Sequence, residues 1–176
     1  MIKAAGRVVI VLVSAAIAWT ATACDSSAVE ASCASGTFDL NGREEPLGSS
    51  SRLIVELAAA VERRTASISM RQLSEYAGWV GAWDRAIYVG ASTTVQKIND
   101  NAGTGLGENC VRGIPCAAGS DGSYMGYLVF VEGGRLVQAV GWNESGSDVR
   151  FKFGTRFITP DTLLSYVEAS DAMTTN

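Results

Sequence analysis

Residues 124–142 read YMGYLVFVEGGRLVQAVGW, two apolar runs that meet at Gly133-Gly134. A two-residue connection between antiparallel strands needs positive φ at its centre, and glycine reaches that region without a Cβ clash. The stretch therefore predicts a tight hairpin. Residues 148–154, DVRFKFG, add a third expected strand, with Val149, Phe151 and Phe153 on one side and Arg150 and Lys152 on the other. Such alternation predicts one buried and one wet face, as in an antiparallel sheet.

Upstream, residues 83–90 read WDRAIYVG and predict another strand, because Ile87, Tyr88 and Val89 are strand formers in a compact run. Helical spacing governs residues 51–64, SRLIVELAAAVERR, where Leu53, Ile54, Leu57, Ala60 and Val61 form an apolar stripe. Ser69, with Gln72 three residues on, predicts a capping box and a short helix ending near Gly78. Thr93 or Thr94 caps a further helix over VQKINDN, and Gly103 is placed to end it. Thr159-Pro160-Asp161 predicts a last, C-terminal helix with proline at its first position. Together these give one α+β domain over residues 51–172, an antiparallel sheet of about four strands covered on one face by helices.

Residues 1–23 carry Lys3 and Arg7, then an apolar run at 8–19, then the small residues TATA. That order matches a secretory signal, and the apolar run is shorter than the ~20 residues of a permanent membrane helix. Two readings of the processing site compete. Ala21-Thr22-Ala23-Cys24 resembles a bacterial lipobox, whose cysteine is diacylated before cleavage, although Ala21 stands where leucine is usual. Ala21-Thr22-Ala23 equally fits ordinary A-x-A cleavage, which would release a secreted protein. The residues that follow are rich in Ser, Ala, Gly and Glu and predict a flexible tether over 24–50. A tether behind Cys24 favours the lipid and an address on the extracytoplasmic face of the cell membrane.

Cysteines of an exported chain are usually paired. Cys110 and Cys116 frame CVRGIPC, where Gly113 and Pro115 bend the chain enough to predict a Cys110–Cys116 staple on the glycine-rich loop at 103–123. A Cys24–Cys33 bond would complete the set if Cys24 carries no lipid; if it does, Cys33 is left over. The spacing of Cys110 and Cys116 does not suit a redox pair, and the thiols lack a fourth ligand for a metal site.

The chain has no histidine among its 176 residues. This excludes His-activated nucleophiles and the common histidine zinc sites. Without Lys3 and Arg7 the remainder carries 12 basic and 18 acidic residues, a net charge of −6. A scattered acidic surface disfavours nucleic acid. No cofactor is implied: NAGTGLGENC spaces its glycines alternately, not as a phosphate cradle requires. Glu108 and Asp121 are the acids of the long loop that a carboxylate hydrolase would use.

WDRAIYVG also resembles a motif, WDR-x-Y-(V/I)-x-G followed by a helix, in a broad group of uncharacterised bacterial lipoproteins. Later in those chains comes an apolar hairpin similar to GYLVFVEGGRLVQAV. Trp83, Asp84, Arg85 and Gly90 match. Ile87 and Tyr88 stand where Tyr and then Val or Ile are expected, and Ala91-Ser92 stands where Pro-Tyr is. The resemblance spans residues 70–155 and implies an envelope location and an α+β fold, with no catalytic residues to carry over.

Trp79, Trp83, Asp84 and Arg85 are the candidate partner-binding residues: aromatics beside a carboxylate and a fork-shaped cation; with Tyr76, the two tryptophans bunch as a glycan or peptide platform would. Arg112, on the expected stapled loop, is a further one. The competing assignment puts the aromatics in a core and lets Asp84 and Arg85 satisfy each other or nearby backbone. The functional expectation is a non-enzymatic, lipid-anchored envelope protein that engages a protein or cell-wall partner. Its rival is a secreted inhibitor or immunity-type module that blocks a hydrolase with the loop bearing Arg112.

Overall fold

The expected hairpin forms, with Gly133 and Gly134 at φ +55° and +76° and Glu132 opposite Arg135. The computed structural model describes residues 33, 36–115, 125–143, 151–152 and 154–175; Cys24, Cys116, Asp121, Val149 and Phe153 lie outside them. The elements in chain order are β1 (Phe38–Asp39), α1 (Ser50–Glu62), β2 (Ile68–Ser69), α2 (Met70–Tyr76), β3 (Arg85–Val89), α3 (Val95–Ala102), β4 (Val111–Arg112), β5 (Met125–Glu132), β6 (Arg135–Asn143), β7 (Phe151–Lys152), β8 (Leu163–Val167) and β9 (Ala172–Thr175). The class is α+β. Three helix caps follow the local chemistry: Ser49 accepts from the Arg52 amide, Ser69 and Gln72 close a reciprocal capping box, and Thr94 caps α3, which ends on left-handed Gly103.

The central sheet has the order β3-β5-β6, all antiparallel, and Ile158 adds a single bridge to Ala86 outside β3. Ala86, Leu128, Phe130 and Val140 pack with Leu53, Leu57 and Ala60 of α1 and Met70 and Leu73 of α2. Ile87, Val89, Tyr127, Val129 and Val131 pack on the opposite side with Val95, Ile98 and Ala102 of α3, together with Leu40 and Val111. Helices thus cover both faces of this sheet, not one. The reason is legible in the centres of β3 and β5: Ala86–Val89 and Tyr127–Val131 are unbroken apolar runs, which suits two dry faces, whereas a wet face needs polar residues at alternate positions.

A second sheet, ordered β2-β8-β9-β7, joins β2 to three strands of the C-terminal part of the chain. The strand expected in DVRFKFG is reduced, within the described residues, to β7, and it runs parallel to β9 instead of extending the hairpin. The expected C-terminal helix is absent. Thr159-Pro160-Asp161-Thr162 forms a turn, with the Thr162 amide donating to the Thr159 carbonyl at 3.0 Å. Proline's fixed φ suits the second position of a turn as well as the first position of a helix. The next residues decide for β structure, because Leu163 is exposed and Leu164 fully buried. The turn also serves α2: its Pro160 and Thr162 carbonyls accept from the Arg71 and Met70 amides at 2.7 and 3.1 Å.

The tether expected over 24–50 does not hold for its described part, because the fold begins before Ser51. Leu40 and Leu47 are 2% and 3% exposed. β1 pairs in parallel with β4, setting Phe38 opposite Val111 and Asp39 opposite Arg112. A spacer-like composition concealed two buried leucines, and two well-placed leucines suffice to fix a short segment.

Candidate functional site

The aromatic group proves to be core. Trp79 and Trp83 are 7% and 9% exposed, and both meet the Phe130 ring edge-on, with centroids 4.7 and 5.0 Å away. Trp79 Nε1 donates to the Ser49 carbonyl at 2.9 Å. Buried edge-to-face rings with a satisfied indole N–H are packing elements, so neither tryptophan is available as a surface platform. Asp84 holds the hairpin: its Oδ2 accepts from the Gly133 amide at 2.6 Å and its Oδ1 from Arg85 Nε at 3.0 Å. The Arg85 guanidinium lies 5.3 Å from the Phe157 ring centre. The WDR residues therefore join the core, the β5–β6 turn and the Ile158 segment. Asp84 and Arg85 remain partly exposed, with both Asp84 oxygens and Arg85 Nε engaged in these contacts.

The cysteine pairing is also corrected. Cys110 bonds to Cys33, 77 residues away, and not to Cys116. The parallel β1–β4 pairing brings this about: the Phe38 amide donates to the Cys110 carbonyl at 2.9 Å, which sets the two segments side by side. Local spacing suggested 110–116 because that bond needs no long-range pairing to bring it together. A Cys24–Cys33 bond is excluded, since the Cys33 sulfur is taken. Arg112 lies exposed on β4, where its carbonyl accepts from the Leu40 amide at 3.0 Å, and not at the tip of a stapled loop. On the same side, the Tyr127 hydroxyl donates to Asn41 Oδ1 at 2.5 Å, and the Asn41 amide donates to Asp39 Oδ1 at 2.9 Å. Burial, and after it the Asp39 charge, push the Tyr127 hydroxyl above its ordinary pKa.

A concave surface among the described residues lies elsewhere, between α1 and α2. A shallow groove of about 610 Å³ is lined by Glu56, Arg63, Thr65, Ser67, Gln72 and Tyr76, with Ile68 at its floor. It continues past Glu56 and Tyr76 into a smaller hollow of about 300 Å³ beside Ser51, Arg52 and Val55. Helical geometry explains the arrangement. At 100° per residue, Arg52 and Glu56 of α1 and Arg63 at its C-cap fall within about 40° of one another, apart from the buried Leu53, Leu57 and Ala60. Two apolar side chains stand out of place here: Val55 is 62% exposed and Tyr76 61%. Among the described residues, Arg52, Glu56 and Arg63 enter no ion pair, whereas Arg64 meets Glu168 and Arg71 meets Asp161. The sequence reading passed over this groove. Its signals are Val55, a β-branched residue on the polar side of an otherwise regular stripe, and Tyr76, which is exposed here while Trp79 and Trp83 beside it are buried.

This arrangement can hold a ligand by charge and by one aromatic face; it contains no nucleophile–base pair. Among the described residues no three His, Cys, Asp or Glu side chains converge as a metal site, and no helix is long and apolar enough to cross a membrane. Glu108 is exposed. No family model, curated protein or solved structure matches this chain.

Proposed function

We propose that the protein is a lipid-anchored binding module of the cell envelope, held at the extracytoplasmic membrane face through Cys24. The observation that carries the proposal is the Cys33–Cys110 disulfide. Such a bond persists in an oxidising compartment outside the cytoplasm, in keeping with the signal-like residues 1–23. It also removes Cys33 as a rival partner for Cys24. Nine Cα steps separate Cys24 from Cys33, so an anchor at Cys24 would hold the disulfide within about 30 Å of its attachment point even at full extension. The module would work close to the membrane. Replacing Cys24 with Ala tests this: the wild type should fractionate with membranes and carry a diacylglycerol mass, and Cys24→Ala should be released. Unchanged membrane retention of the variant would sink the anchor. The inhibitor reading loses its main support, because Arg112 is part of β4 and is not presented by a 110–116 staple.

A further inference from the structure

The geometry points to the α1–α2 groove as a docking surface for an extended segment of a protein partner that carries an acidic, a basic and a second acidic residue in line. This rests on the binding-module reading and specifies its ligand. Along α1 the groove presents Arg52, Glu56 and Arg63, a positive, negative, positive row. From Arg52 to Arg63 is 11 residues, about 16 Å at the helical rise. The two intervals are about 6 Å and about 10 Å by the same rise. An extended chain advances about 3.3 Å per residue, so a complementary segment places its acids at positions 1 and 6 and its base at position 3. Run in the opposite direction, the base falls at position 4.

Three further observations favour a protein occupant. The charges in this row are left unpaired within the described structure, while neighbouring Arg64 and Arg71 have acidic partners. Arginine offers a planar fork that suits carboxylates. Tyr76 and Val55, both more than half exposed, give a side chain between the charges something apolar to lie on, and exposed tyrosine is enriched at interfaces. An anchor on the disulfide side would leave the groove accessible. The groove sits over the cluster that includes Ile68, on the opposite face of the central sheet from Leu40 and Val111, which flank the disulfide segment. A membrane on the disulfide side would leave this side open.

Exposed ion pairs are individually weak, so the contact is a modest one in which each arginine changes affinity by up to about fivefold. The test uses the full-length protein in detergent and two immobilised six-residue peptide libraries. One fixes acids at 1 and 6 with a base at 3 or 4; the other inverts those charges. The native protein should retain the acid–base–acid library several-fold better than its inverse. Arg52→Glu with Arg63→Glu should already turn the preference towards the inverted library, because two of its three charges then attract, and adding Glu56→Lys should strengthen that reversal. Arg52 and Arg63 are exposed and Glu56 is half-buried, so thermal unfolding of each variant is measured beside its retention to show that the fold is kept. Equal retention of the two libraries by the native protein, or a preference that the triple variant leaves unmoved, overturns the proposal. Binding of soluble peptidoglycan fragments that depends on Tyr76 but shows no charge preference overturns it too, in favour of a glycan. Failure of this test leaves the anchor untouched, because Cys24→Ala is read by membrane fractionation and not by peptide retention.

Discussion

The Leu47 amide, 91 positions before Gln138, donates to the buried Gln138 Oε1 at 2.9 Å. The same side chain sends its Nε2 to the Gly48 carbonyl at 2.8 Å and to Ser50 Oγ at 3.0 Å. One amide from β6 therefore satisfies three groups of the segment that leads into α1. Gln138 is 1% exposed, so removing it leaves the Leu47 N–H without a partner away from water. Gln138→Leu should cost about 3 kcal/mol, a Tm loss of roughly 10 °C for a domain of this size. Gln138→Glu should also destabilise, since its second oxygen would face the Gly48 carbonyl. Thermal unfolding checks both, and a Gln138→Leu Tm within about 2 °C of wild type would remove this clamp from the account.

Gly48 is held at φ +144°, and a Cβ there would lie 2.5 Å from Trp79 Cδ1. The backbone passes directly over the indole, and no other residue fits without moving one of them. Gly48→Ala combines a disfavoured φ with a steric clash and should cost about 2–4 kcal/mol. Denaturant titration followed by tryptophan fluorescence measures the loss and also reports the indole environment.

Asp84 links the Gly133 amide to Arg85. If its task is to hold the turn, Asp84→Ala should lower stability by about 1–3 kcal/mol, with faster amide exchange at Gly133 and Gly134. Asp84→Asn, which keeps an acceptor, should lose less. A variant with native stability and altered ligand binding would return Asp84 to the recognition surface.

The disulfide closes a separation of 77 residues. On loop entropy alone, opening it should cost about 4 kcal/mol. Cys33→Ser and chemical reduction should destabilise alike, and a non-reducing peptide map should join the peptides that contain Cys33 and Cys110. A map joining Cys110 to Cys116 would contradict the pairing.

Local chemistry was legible in the sequence and long-range chemistry was not. The Ser69–Gln72 box, the Thr94 cap, Gly103 and the Gly133-Gly134 turn each depend on residues a few positions apart, and all four appear where the sequence put them. The Cys33–Cys110 bond and the Leu47–Gln138 clamp join residues more than 70 positions apart, and nothing in a single chain's periodicity encodes such pairs. Thr159-Pro160-Asp161 failed for a different reason: its residues suit a turn and a helix start equally, and burial of Leu164 made the choice. Trp79, Trp83, Asp84 and Arg85 were correctly seen as a group, yet their grouping reflects a core and a turn. Of the α1–α2 groove only Tyr76 is legible as a binding aromatic, because a surface is defined by what two helices leave between them.

Tyr127 supplies a pH test of the N-terminal contacts. Its hydroxyl donates to Asn41, and burial followed by the Asp39 charge raise its pKa above the ordinary value of 10.0. The unfolded chain thus gives up this proton before the folded one. The stabilising contribution is complete below about pH 10 and falls as pH rises from there through the folded-state pKa, because ionisation then favours the unfolded state. Tyr127→Phe should be less stable than wild type at pH 8 by about 1 kcal/mol, the worth of one hydrogen bond. It should also lack this component of the alkaline loss, so the two stability curves should converge above pH 10. Urea midpoints for both proteins at intervals from pH 8 to pH 11 measure the gap directly. Curves that stay parallel across that range would show that the Tyr127 proton is not held by the Asn41 contact and the buried setting described here.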